Sequence, residues 1–459
     1  MVQSIQLEAS ETDQQALLNA INSASKQNVP LLLKPGTHLT RPGRANQIPI
    51  GGNGLAIGPL MSSAAKPATI KRPDHSIDVG HPDDNHGLFF VPSEPDPAES
   101  SQATWKHYKG HGEEFEFAIL VRGKIRIDGL SIDCNMRNQE LETLPPSTTA
   151  EHSCMLGFAG QKYPNPAGAN PITRLPRFIF VAFESVELTN LHVSNGGYAD
   201  EIWFSRGHFH PNIARVRIDR LTSTTRVNQK RATVDFSGLC QDITITNSKF
   251  FKLGCEATDV PYREMPRMTR EFHPSIWTLS DLQLNHIDLG AHGRSYVIRA
   301  TRLSTTGQCV IHEAGGTITD SALTVTDRQR LIALDRFVFR AVTWTLKTSD
   351  GKTLGLKITA DDGQPGTASF LDNVFHVPGP AAEQVVIDSE YSNGVPANHV
   401  RVTATGCRYP ATFGHLGEPA IAHVNERGRW TFAKTDLEGR NPDIALPKNE
   451  NDDVIREVL

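Results

Sequence analysis

The stretch CQDITITNSKFFKLG, residues 240–254, contains the pattern that predicts the fold. Ile243 and Ile245 alternate with polar residues, and a second apolar run begins at Phe250, just after the pair Asn247-Ser248. Alternation with a period of two is typical of a half-buried β-strand, and asparagine tolerates the backbone conformation of a sharp bend. The stretch therefore predicts a strand, a tight corner and a second strand.

The same pattern returns along the chain. Copies are KIRIDGLSID at 124–133, VELTNLHVSN at 186–195, RVRIDRLTST at 215–224, DITITNSKFF at 242–251, DLQLNHIDLG at 281–290 and TITDSALTVT at 317–326, with weaker copies at 336–346, 366–377 and 398–409. One unit cannot bury its apolar face alone, whereas parallel stacked units share a continuous core. A β-sandwich would need hairpin signals such as Asn-Gly between its strands, and these are sparse. The repeats therefore favour an all-β solenoid.

Residues 13–40, DQQALLNAINSASKQNVPLLLKPGTHLT, combine a helical pattern with two short strands. The apolar face of the helix consists of Ala16, Leu17, Ala20, Ile21 and Ala24. The strands are LLL at 31–33 and HLT at 38–40, joined through Pro35-Gly36-Thr37. An amphipathic helix at this position is suited to cover the open end of a stack of strands, which otherwise presents unpaired edges.

With this N-terminal signature and with repeats over about 115–415, the chain resembles the pectate-lyase-like superfamily of parallel β-helices. The resemblance implies a single-stranded right-handed parallel β-helix with an N-terminal helical cap and long loops. It also implies a polysaccharide substrate that lies along the sheet preceding the strand-corner-strand unit. The polygalacturonase set N-T-D, D-D, G-H-G and R-I-K is absent, and YREMPRMTREFHP at 262–274 does not match the pectate lyase pattern R-x-P-x-x-R. These departures argue against homogalacturonan as the substrate.

The patterns divide the chain into four parts. Residues 1–40 hold the cap helix and first strands, and 41–115 form irregular, loop-rich early coils. Residues 116–430 carry the β-helix repeats with an insertion at 138–176, and 431–459 form a charged C-terminal tail. Loops as long as those predicted here are commonly functional.

Composition excludes several classes of partner. The 459 residues contain 46 Lys and Arg against 51 Asp and Glu, so a net charge of −5 argues against a nucleic-acid binder. No run approaches the roughly 18 apolar residues of a membrane span, and residues 1–30 show no secretory signal, so the location stays open. The six cysteines form no C-x-x-C pair, which argues against a zinc ribbon or a disulfide scaffold. A homo-oligomer is left open.

Candidate catalytic carboxylates lie on strands that precede the repeats, notably EIWFSRG at 201–207 and ATVDFSG at 232–238. Because side chains alternate along a strand, Val234 and Phe236 in the core would place Asp235 on the outer face. The same reasoning predicts exposed Glu201 and Trp203. Stacked strands are about 4.8 Å apart, so outward carboxylates on neighbouring coils reach the separation that glycosidases use. Asp235 could pair with Glu201, or with Glu256 or Asp259 in a following loop; ordinary solubilising acids are the alternative.

Cations are concentrated between residues 226 and 273. Elimination from a uronate needs a cation to neutralise the carboxylate, a base and an acid. The candidates are Lys230 and Arg231 for catalysis, and Arg226, Trp203, Tyr262, Arg263, Arg267, Arg270, His273 and His312 for substrate binding. The alternative is that these cations form ordinary surface ion pairs, which contribute little.

Aromatic and metal-binding candidates are weaker. Trp203, Trp277, Tyr198 and Tyr262 could stack on sugar faces, although core aromatics are the commoner case. His208 and His210 have strand spacing for a metal but no third ligand, so no metal site and no cofactor are predicted. Asp200, Asp235 and Asp259 are candidate calcium ligands without a recognised motif.

These observations predict an enzyme that cleaves glycosidic bonds in a polysaccharide. The cations favour β-elimination of an acidic, uronate-containing glycan. A glycoside hydrolase or glycosyl-transferring enzyme with an Asp/Glu pair is the alternative. A non-catalytic glycan-binding, tail-spike or adhesin scaffold is the alternative from another class, because a fold does not fix a function.

Overall fold

The structure is a computed structural model, and it describes residues 3–43, 47–60, 67–77, 85–110, 113–139, 141, 153–204, 211–226, 231–255, 275–289, 296–326, 328–347, 353–359, 366–376, 384–389, 400–405, 407, 423–424, 429–433 and 455–456. The chain forms two compact units. The first comprises Met1–Val260 with Glu264–Ser275, and the second comprises Pro261–Arg263 with Ile276–Leu459.

The first unit contains the described helices and the first twenty strands. The helices are α1 (Ala16–Gln27), α2 (Pro97–Ser101) and a 3-10 turn at Met136–Asn138. The strands are β1 (Ile5–Leu7), β2 (Leu31–Leu33), β3 (Gly36–Leu39), β4 (Gln47–Ile50), β5 (Leu55–Pro59), β6 (Ala68–Lys71), β7 (Leu88–Pro92), β8 (Lys106–Gly110), β9 (Glu113–Val121), β10 (Lys124–Asp128), β11 (Ser131–Asp133), β12 (Leu156–Phe158), β13 (Gln161–Pro164), β14 (Arg177–Thr189), β15 (His192–Gly196), β16 (Ile202–Phe204), β17 (Pro211–Asp219), β18 (Thr222–Arg226), β19 (Val234–Phe236) and β20 (Leu239–Cys255).

Three parallel sheets run through the first unit. The first sheet has the order β1-β2-β5-β10-β14-β17-β20. The second has the order β3-β6-β11-β15-β18-β20, and the third β4-β7-β12-β16-β19-β20. Each coil contributes one strand to each sheet and returns one strand further on. This confirms the predicted all-β parallel solenoid, and the prevalence of right-handed crossovers supports the predicted hand.

The corner between the first and second sheets is a single residue with positive φ. Asn190, Arg220 and Asn247 have φ of 53°, 54° and 50°. The prediction that an Asp, Asn or Ser in the middle of the repeat makes the bend is confirmed at Asn190 and Asn247, whereas in the coil between them the bend falls on Arg220, next to Asp219. Asn247 also donates from Nδ2 to Asp219 Oδ1 at 2.8 Å, so each corner is tied to its neighbour in the stack.

Two substitutions at Asn247 separate backbone strain from this hydrogen bond. Asn247→Ala and Asn247→Gly both lose the bond to Asp219. Glycine has no Cβ and adopts positive φ freely, whereas the Cβ of alanine disfavours this conformation and alanine lacks the polar side chain that lets asparagine adopt it. We expect the alanine variant to be less stable than the glycine variant by about 1–2 kcal/mol, as measured by urea unfolding. Equal stabilities would show that the corner does not need a left-handed residue.

The interior of the coils is a set of apolar ladders. Phe90, Phe158, Phe204 and Phe236 stack on the inner side of the third sheet, with successive ring centroids 5.4, 5.2 and 4.5 Å apart. In the first sheet Ile218 and Ile245 are in register and fully buried. Identical positions in successive coils therefore meet the same neighbours, which explains why the sequence pattern repeats.

Helix α1 packs against β1, β2 and β3 at the start of the first unit. Its buried residues are Leu17, Ala20, Ile21 and Ala24, four of the five predicted for the apolar face. The helix ends at Gln27 and is capped by Asn28, which adopts the left-handed conformation with φ of 54°. The predicted cap helix and the short strands after it are therefore present.

A small side sheet is attached to the coils through β14. Strands β8 and β13 pair antiparallel with β9 and β14, respectively, and β9 pairs parallel with β14. Its aromatic core is formed by Tyr108, Phe115, Phe117 and Phe180. Strands β4 to β8 thus lie within 41–115, and β12 and β13 lie within 138–176.

The second unit is also built from strands. Its strands are β21 (Ser275–Leu289, of which Ser275 belongs to the first unit), β22 (Tyr296–Thr305), β23 (Cys309–Thr319), β24 (Ala322–Thr326), β25 (Arg328–Arg340), β26 (Thr343–Lys347), β27 (Thr353–Thr359), β28 (Gly366–Leu371), β29 (Val374–His376), β30 (Gln384–Ser389), β31 (Val400–Thr405), β32 (His423–Val424), β33 (Arg429–Ala433) and β34 (Ile455–Arg456). Within the described residues, the strands of this unit pair in parallel.

Corners in the second unit follow the same rule. Asp320, Ala341 and Asp372 have φ of 48°, 50° and 55° in the middle of their repeats. The copy at 281–290 is an exception, because its corner is Asp281, with φ of 57°, at the first position of that stretch. The predicted frame of this copy is therefore wrong. Strands on both sides of a corner share the same period, so alternation alone does not locate the bend.

Candidate functional site

Glu201 and Arg226 form an ion pair where the second sheet ends and the third begins. Arg226 is the last residue of β18, and Glu201 immediately precedes β16. The Arg226 guanidinium donates from Nη1 to Glu201 Oε1. The Arg226 side chain is 9% exposed and the Glu201 side chain 1% exposed, so the pair is largely removed from water.

Neighbouring groups orient the Arg226 guanidinium. Nη1 also donates to Thr233 Oγ1 at 2.9 Å, and Nη2 donates to the Arg231 carbonyl at 2.6 Å. The guanidinium carbon lies 4.3 Å from the centre of the Phe251 ring, within the range of a cation–π contact. Arg226 is thereby held in one position beside Glu201, and predicted residue Arg231 contributes its backbone to this arrangement.

The protonation of Glu201 is set by burial. Burial raises the pKa of Glu201 to about 7, while Arg226 and the nearby Thr233 hydroxyl favour the charged form. Oε1 accepts from Arg226, whereas Oε2 is buried without a hydrogen-bond partner among the described residues. A carboxyl group with a pKa near neutrality can both hold and release a proton at physiological pH, which is the property of a general acid or base.

Gly196 makes room for the Glu201 carboxyl group. Gly196 ends β15 and is in register with Arg226. A Cβ at Gly196 would lie 1.8 Å from Glu201 Oε1 and 2.3 Å from its carboxyl carbon. The backbone of the second sheet therefore approaches the carboxyl group as closely as the absence of a side chain allows.

Substitution of Gly196 tests this close approach. We expect Gly196→Ala to lower the free energy of unfolding by about 1–3 kcal/mol, because Glu201 must leave its position beside Arg226. Gly52→Ala is the matched control, since a Cβ at Gly52 meets no atom within 4 Å. Urea unfolding measures both. A Gly196→Ala variant as stable as the control would mean that Glu201 moves at no cost.

A row of residues crosses the outer side of the third sheet next to this pair. In register order it consists of Phe89, Gly157, Trp203, Asp235 and Gly254. The prediction that Val234 and Phe236 point into the core, with Asp235 opposite, agrees with the stacking of Phe236 on Phe204. The sheet geometry thus follows the alternation in the sequence.

The prediction that this row is exposed is wrong. Glu201, Trp203 and Asp235 are only 1%, 3% and 2% exposed. Trp203 packs in one cluster with Phe89, Val91, Cys154 and Ala159, which belong to other coils. The covering segments come from distant parts of the chain, so strand alternation could not reveal them. Trp203 consequently offers no open ring face to a sugar.

Asp235 and Trp203 are joined through Ser237. The Trp203 indole donates from Nε1 to Ser237 Oγ at 3.0 Å, and Ser237 Oγ donates to Asp235 Oδ2. A Cβ at Gly254 would lie 2.5 Å from Asp235 Oδ1, so this glycine makes room for the carboxylate. Both predicted carboxyl groups therefore lie against a glycine of a neighbouring strand.

Sequence reasoning missed a second buried group, built around Arg72 and His86. Arg72 is fully buried and donates to the carbonyls of Asn85 at 2.7 Å, Ser153 at 2.8 Å and Cys154 at 2.9 Å. Burial lowers the pKa of Arg72 to about 10, opposed by the thiols of Cys134 and Cys154. Arg72 thus ties the segment before β7 to the segment before β12.

His86 lies over the row on the third sheet. Its ring stacks on Phe89 at 4.4 Å and on Trp203 at 5.7 Å between centroids, and its Nδ1 lies 3.3 Å from Cys154 Sγ. No motif marks Arg72, His86 or Cys154 in the sequence, because each is isolated among ordinary loop residues. Only the fold brings them together.

The remaining predicted residues fall into three groups. Lys230, Glu256, Asp259, Tyr262, Arg263, Arg267, Arg270, His273, His208 and His210 lie outside the described residues. His312 is on β23, but its side chain is outside the description. Trp277 is 1% exposed and belongs to a core, whereas Tyr198 is half-buried. The structure therefore brings together Glu201, Arg226, Arg231, Trp203 and Asp235.

Potential metal ligands in the described part of the chain are dispersed. No cluster of three or more His, Cys, Asp or Glu side chains there could hold a metal ion. Asp200 Oδ1 accepts from the Ala232 backbone at 2.9 Å, and Asp235 accepts from Ser237. Because Asp259 lies outside the described residues, the calcium site through Asp200, Asp235 and Asp259 stays a prediction.

Comparison with known proteins adds one finding. No family model matches the chain, and no curated protein is significantly similar to it. Among solved structures, it is similar to a hyperthermoactive exopolygalacturonase from Thermotoga maritima, with 11% identity, a TM-score of 0.37, and coverage of 96% of this chain and 93% of that chain. At this identity and TM-score, neither substrate nor catalytic residues transfer.

No helix in the described residues has the length and apolar character needed to span a membrane.

Proposed function

We propose that the protein cleaves glycosidic bonds in an acidic polysaccharide, with Glu201 as the group that transfers a proton to the leaving oxygen. The observation that supports this is the environment of Glu201: a buried carboxyl group with a pKa of about 7, one oxygen on Arg226 and the other without a described partner. Such a group is protonated often enough at neutral pH to act as an acid, and its conjugate base is strong enough to act as a base.

Elimination is the favoured chemistry. In this reaction a base removes the C5 proton of a uronate, the bond from C4 to the leaving oxygen breaks, and an acid protonates that oxygen. A cation beside the acid stabilises the carboxylate as charge develops. Glu201 and Arg226 are a matched acid and cation, and Lys230, predicted as a catalytic residue, is a few residues from Arg226 in sequence and is our candidate for the base.

Hydrolysis is the second candidate, supported by the register of the third sheet. Trp203 pairs with Asp235, so the Cα atoms of Glu201 and Asp235 are one strand and two residues apart, or roughly 8 Å. An inverting glycosidase requires two carboxyl groups, one acid and one base, with room for a water between them. Asp235 would then act as the base that activates water, opposite the acid Glu201.

A panel of acidic and neutral polysaccharides tests the proposal. Elimination produces an unsaturated uronate that absorbs in the ultraviolet, whereas hydrolysis produces reducing ends without this absorbance. We expect the unsaturated product from at least one uronate-containing glycan. Reducing ends alone would favour the Glu201–Asp235 hydrolase. Binding without any product would favour the non-catalytic scaffold.

The pH profile of the active substrate carries a further prediction. An acid must be protonated in the free enzyme, and the pKa of Glu201 is about 7. We therefore expect kcat/KM to fall as pH rises through about 7, by about tenfold per pH unit beyond it. Initial rates across the pH range measure this. A profile that rises through neutrality would assign Glu201 the role of base.

A further inference from the structure

Arg226 lies at the edge of an exposed polar face. Thr222 and Thr224 precede it on β18 and are exposed. The Thr222 hydroxyl lies 3.0 Å from Nδ1 of His192 on β15, and the Thr224 hydroxyl lies 3.0 Å from Nε2 of the same ring. The adjacent coil adds the half-buried ring of Phe251, on which the Arg226 guanidinium lies. Hydroxyls, an imidazole and an apolar ring face are the groups that contact sugars, so the surroundings of Arg226 suit a glycan.

The charges of Arg226 and Glu201 are coupled. Arg226 favours the charged form of Glu201, and burial opposes it. When Glu201 takes up a proton, it no longer contributes a negative charge to Arg226, and the guanidinium attracts an external anion more strongly. Guanidinium groups bind carboxylates through two parallel hydrogen bonds, so the preferred anion is planar and carries two oxygens.

The surrounding structure keeps Arg226 in place during such an exchange. Thr233 Oγ1 and the Arg231 carbonyl hold the guanidinium at 2.9 and 2.6 Å, in addition to its bond to Glu201. The Arg226 side chain retains 9% exposure against 1% for Glu201, so an anion arriving from water meets Arg226 first. Glu201, bounded by Gly196 on one side, stays where it is and changes its charge.

We propose that Arg226 binds the carboxylate of a uronate residue in exchange for its ion pair with Glu201, and that Glu201 takes up a proton as the uronate binds. The proton moves from solvent to a Glu201 carboxylate oxygen, and no covalent bond of the sugar changes. This proposal rests on the proposed function for its role in catalysis. Binding of a uronate would protonate Glu201, the acid that then transfers a proton to the leaving oxygen. Neutral glycans would leave Glu201 paired with Arg226.

The charged and titratable groups around this exchange lie on several elements. Arg226 is the direct partner of Glu201, and the Cys134 thiol interacts electrostatically with both. Arg72 and Asp133 act on the same thiol, Arg72 lowering its pKa and Asp133 raising it. Removing the Glu201 charge by mutation therefore isolates the proton linkage while leaving the neighbouring cations in place.

Calorimetry with methyl glycosides of galacturonic and glucuronic acid tests the proposal, because these probes contain no inter-residue bond to cleave. The matching methyl galactoside and glucoside, which lack the carboxylate, are the neutral controls. Titrations at about pH 7 in buffers of different ionisation enthalpy report the protons taken up. We expect uptake of roughly half a proton with the uronides and none with the controls, since about half of Glu201 is already protonated.

Two variants sharpen the test. Glu201→Gln should bind the uronides without proton uptake, because its residue 201 is neutral before the ligand arrives. Its affinity should therefore be about tenfold higher than that of the unmodified protein at about pH 8, where most Glu201 is charged, and about equal at about pH 6. Arg226→Gln should lose uronide binding, with circular dichroism confirming its fold. If it does not fold, the pH dependence of Glu201→Gln decides.

Each outcome has a definite meaning. Uronide binding without proton uptake, or a Glu201→Gln variant with unchanged affinity at about pH 8, would overturn the exchange, as would absence of uronide binding. Cleavage of an acidic polysaccharide that depends on Glu201 would then leave the proposed function intact. Proton-linked uronide binding in a protein that cleaves none of the polysaccharides would support the exchange and refute the enzymatic proposal.

Discussion

The variant Glu201→Gln is expected to lower kcat/KM on the cleaved polysaccharide by a factor of about 10²–10⁴. Glutamine has nearly the same shape and can still accept from Arg226, but it has no proton to transfer at neutral pH. The decline of kcat/KM above about pH 7 should disappear together with the rate. Initial rates of the purified variant across the pH range measure both effects.

Glu184 offers a matched control for this variant. It also pairs with an arginine, Arg215, at 2.8 Å, but it lies on the first sheet and its side chain is 34% exposed. Glu184→Gln should therefore leave kcat/KM and its pH dependence unchanged. A Glu201→Gln variant that retains the full rate would refute the assignment of Glu201 as the proton donor, even if the polysaccharide is cleaved.

The second large effect is on stability. The pKa of Glu201 rises from 4.5 to about 7 on folding, so between these values the folded protein binds a proton that the unfolded chain does not. Stability from this group is fully present below about pH 4.5 and is lost as pH rises through about 7. The loss amounts to about 3 kcal/mol relative to Glu201→Gln, which does not titrate.

Urea unfolding at about pH 4.5 and about pH 8 measures this difference for both proteins. The constant cost of placing glutamine beside Arg226 cancels, because only the change with pH is compared.

Asp219→Asn is a control of the opposite kind. Burial acts to raise the pKa of Asp219, but hydrogen bonds from Asn247 and Thr246 outweigh it and lower the net pKa below 3.8. The contribution of Asp219 to the free energy of unfolding should therefore be constant between about pH 4.5 and about pH 8. If the difference in stability between the unmodified protein and Glu201→Gln is also the same at both pH values, Glu201 is ionised in the folded protein.

The two results together decide how burial serves the site. A carboxyl group at 1% exposure costs stability whenever it is charged, and the protein tolerates this cost at neutral pH. Perturbed carboxyl groups of this kind are concentrated at functional sites. If the stability shift is present and the catalytic effect is absent, Glu201 belongs to a structural ion pair beside a binding face.

Local sequence was sufficient for the coil architecture. Alternation in DITITNSKFF predicts the two strands, and the left-handed corner at Asn247 follows from a residue type that tolerates it. The cap helix is equally local, because Leu17, Ala20, Ile21 and Ala24 share one face through the helical period alone. Repetition of such signals predicts the parallel stack, since each coil meets a copy of itself.

The frame of the copy at 281–290 shows where local signals end. Strands before and after a corner have the same period, so a bend at Asp281 and one four residues later look alike in the pattern. The fold resolves this through pairing with the neighbouring strands. Similarly, the sequence placed Asp235 on the outer side of its strand but could not show what covers that side.

The candidate site required the tertiary structure. Glu201 and Arg226 were both predicted as functional residues, yet their pairing depends on Gly196 and Thr233, which carry no recognisable signal. The exposure of Trp203 was mispredicted because it packs with Val91, Cys154 and Ala159 from other coils, and the exposure of Asp235 was mispredicted as well. Alternation specifies on which side of a strand a residue lies, because this depends on backbone geometry alone. Burial, and with it the pKa of Glu201, depends on desolvation by segments far away in the chain, which only the assembled coils bring together.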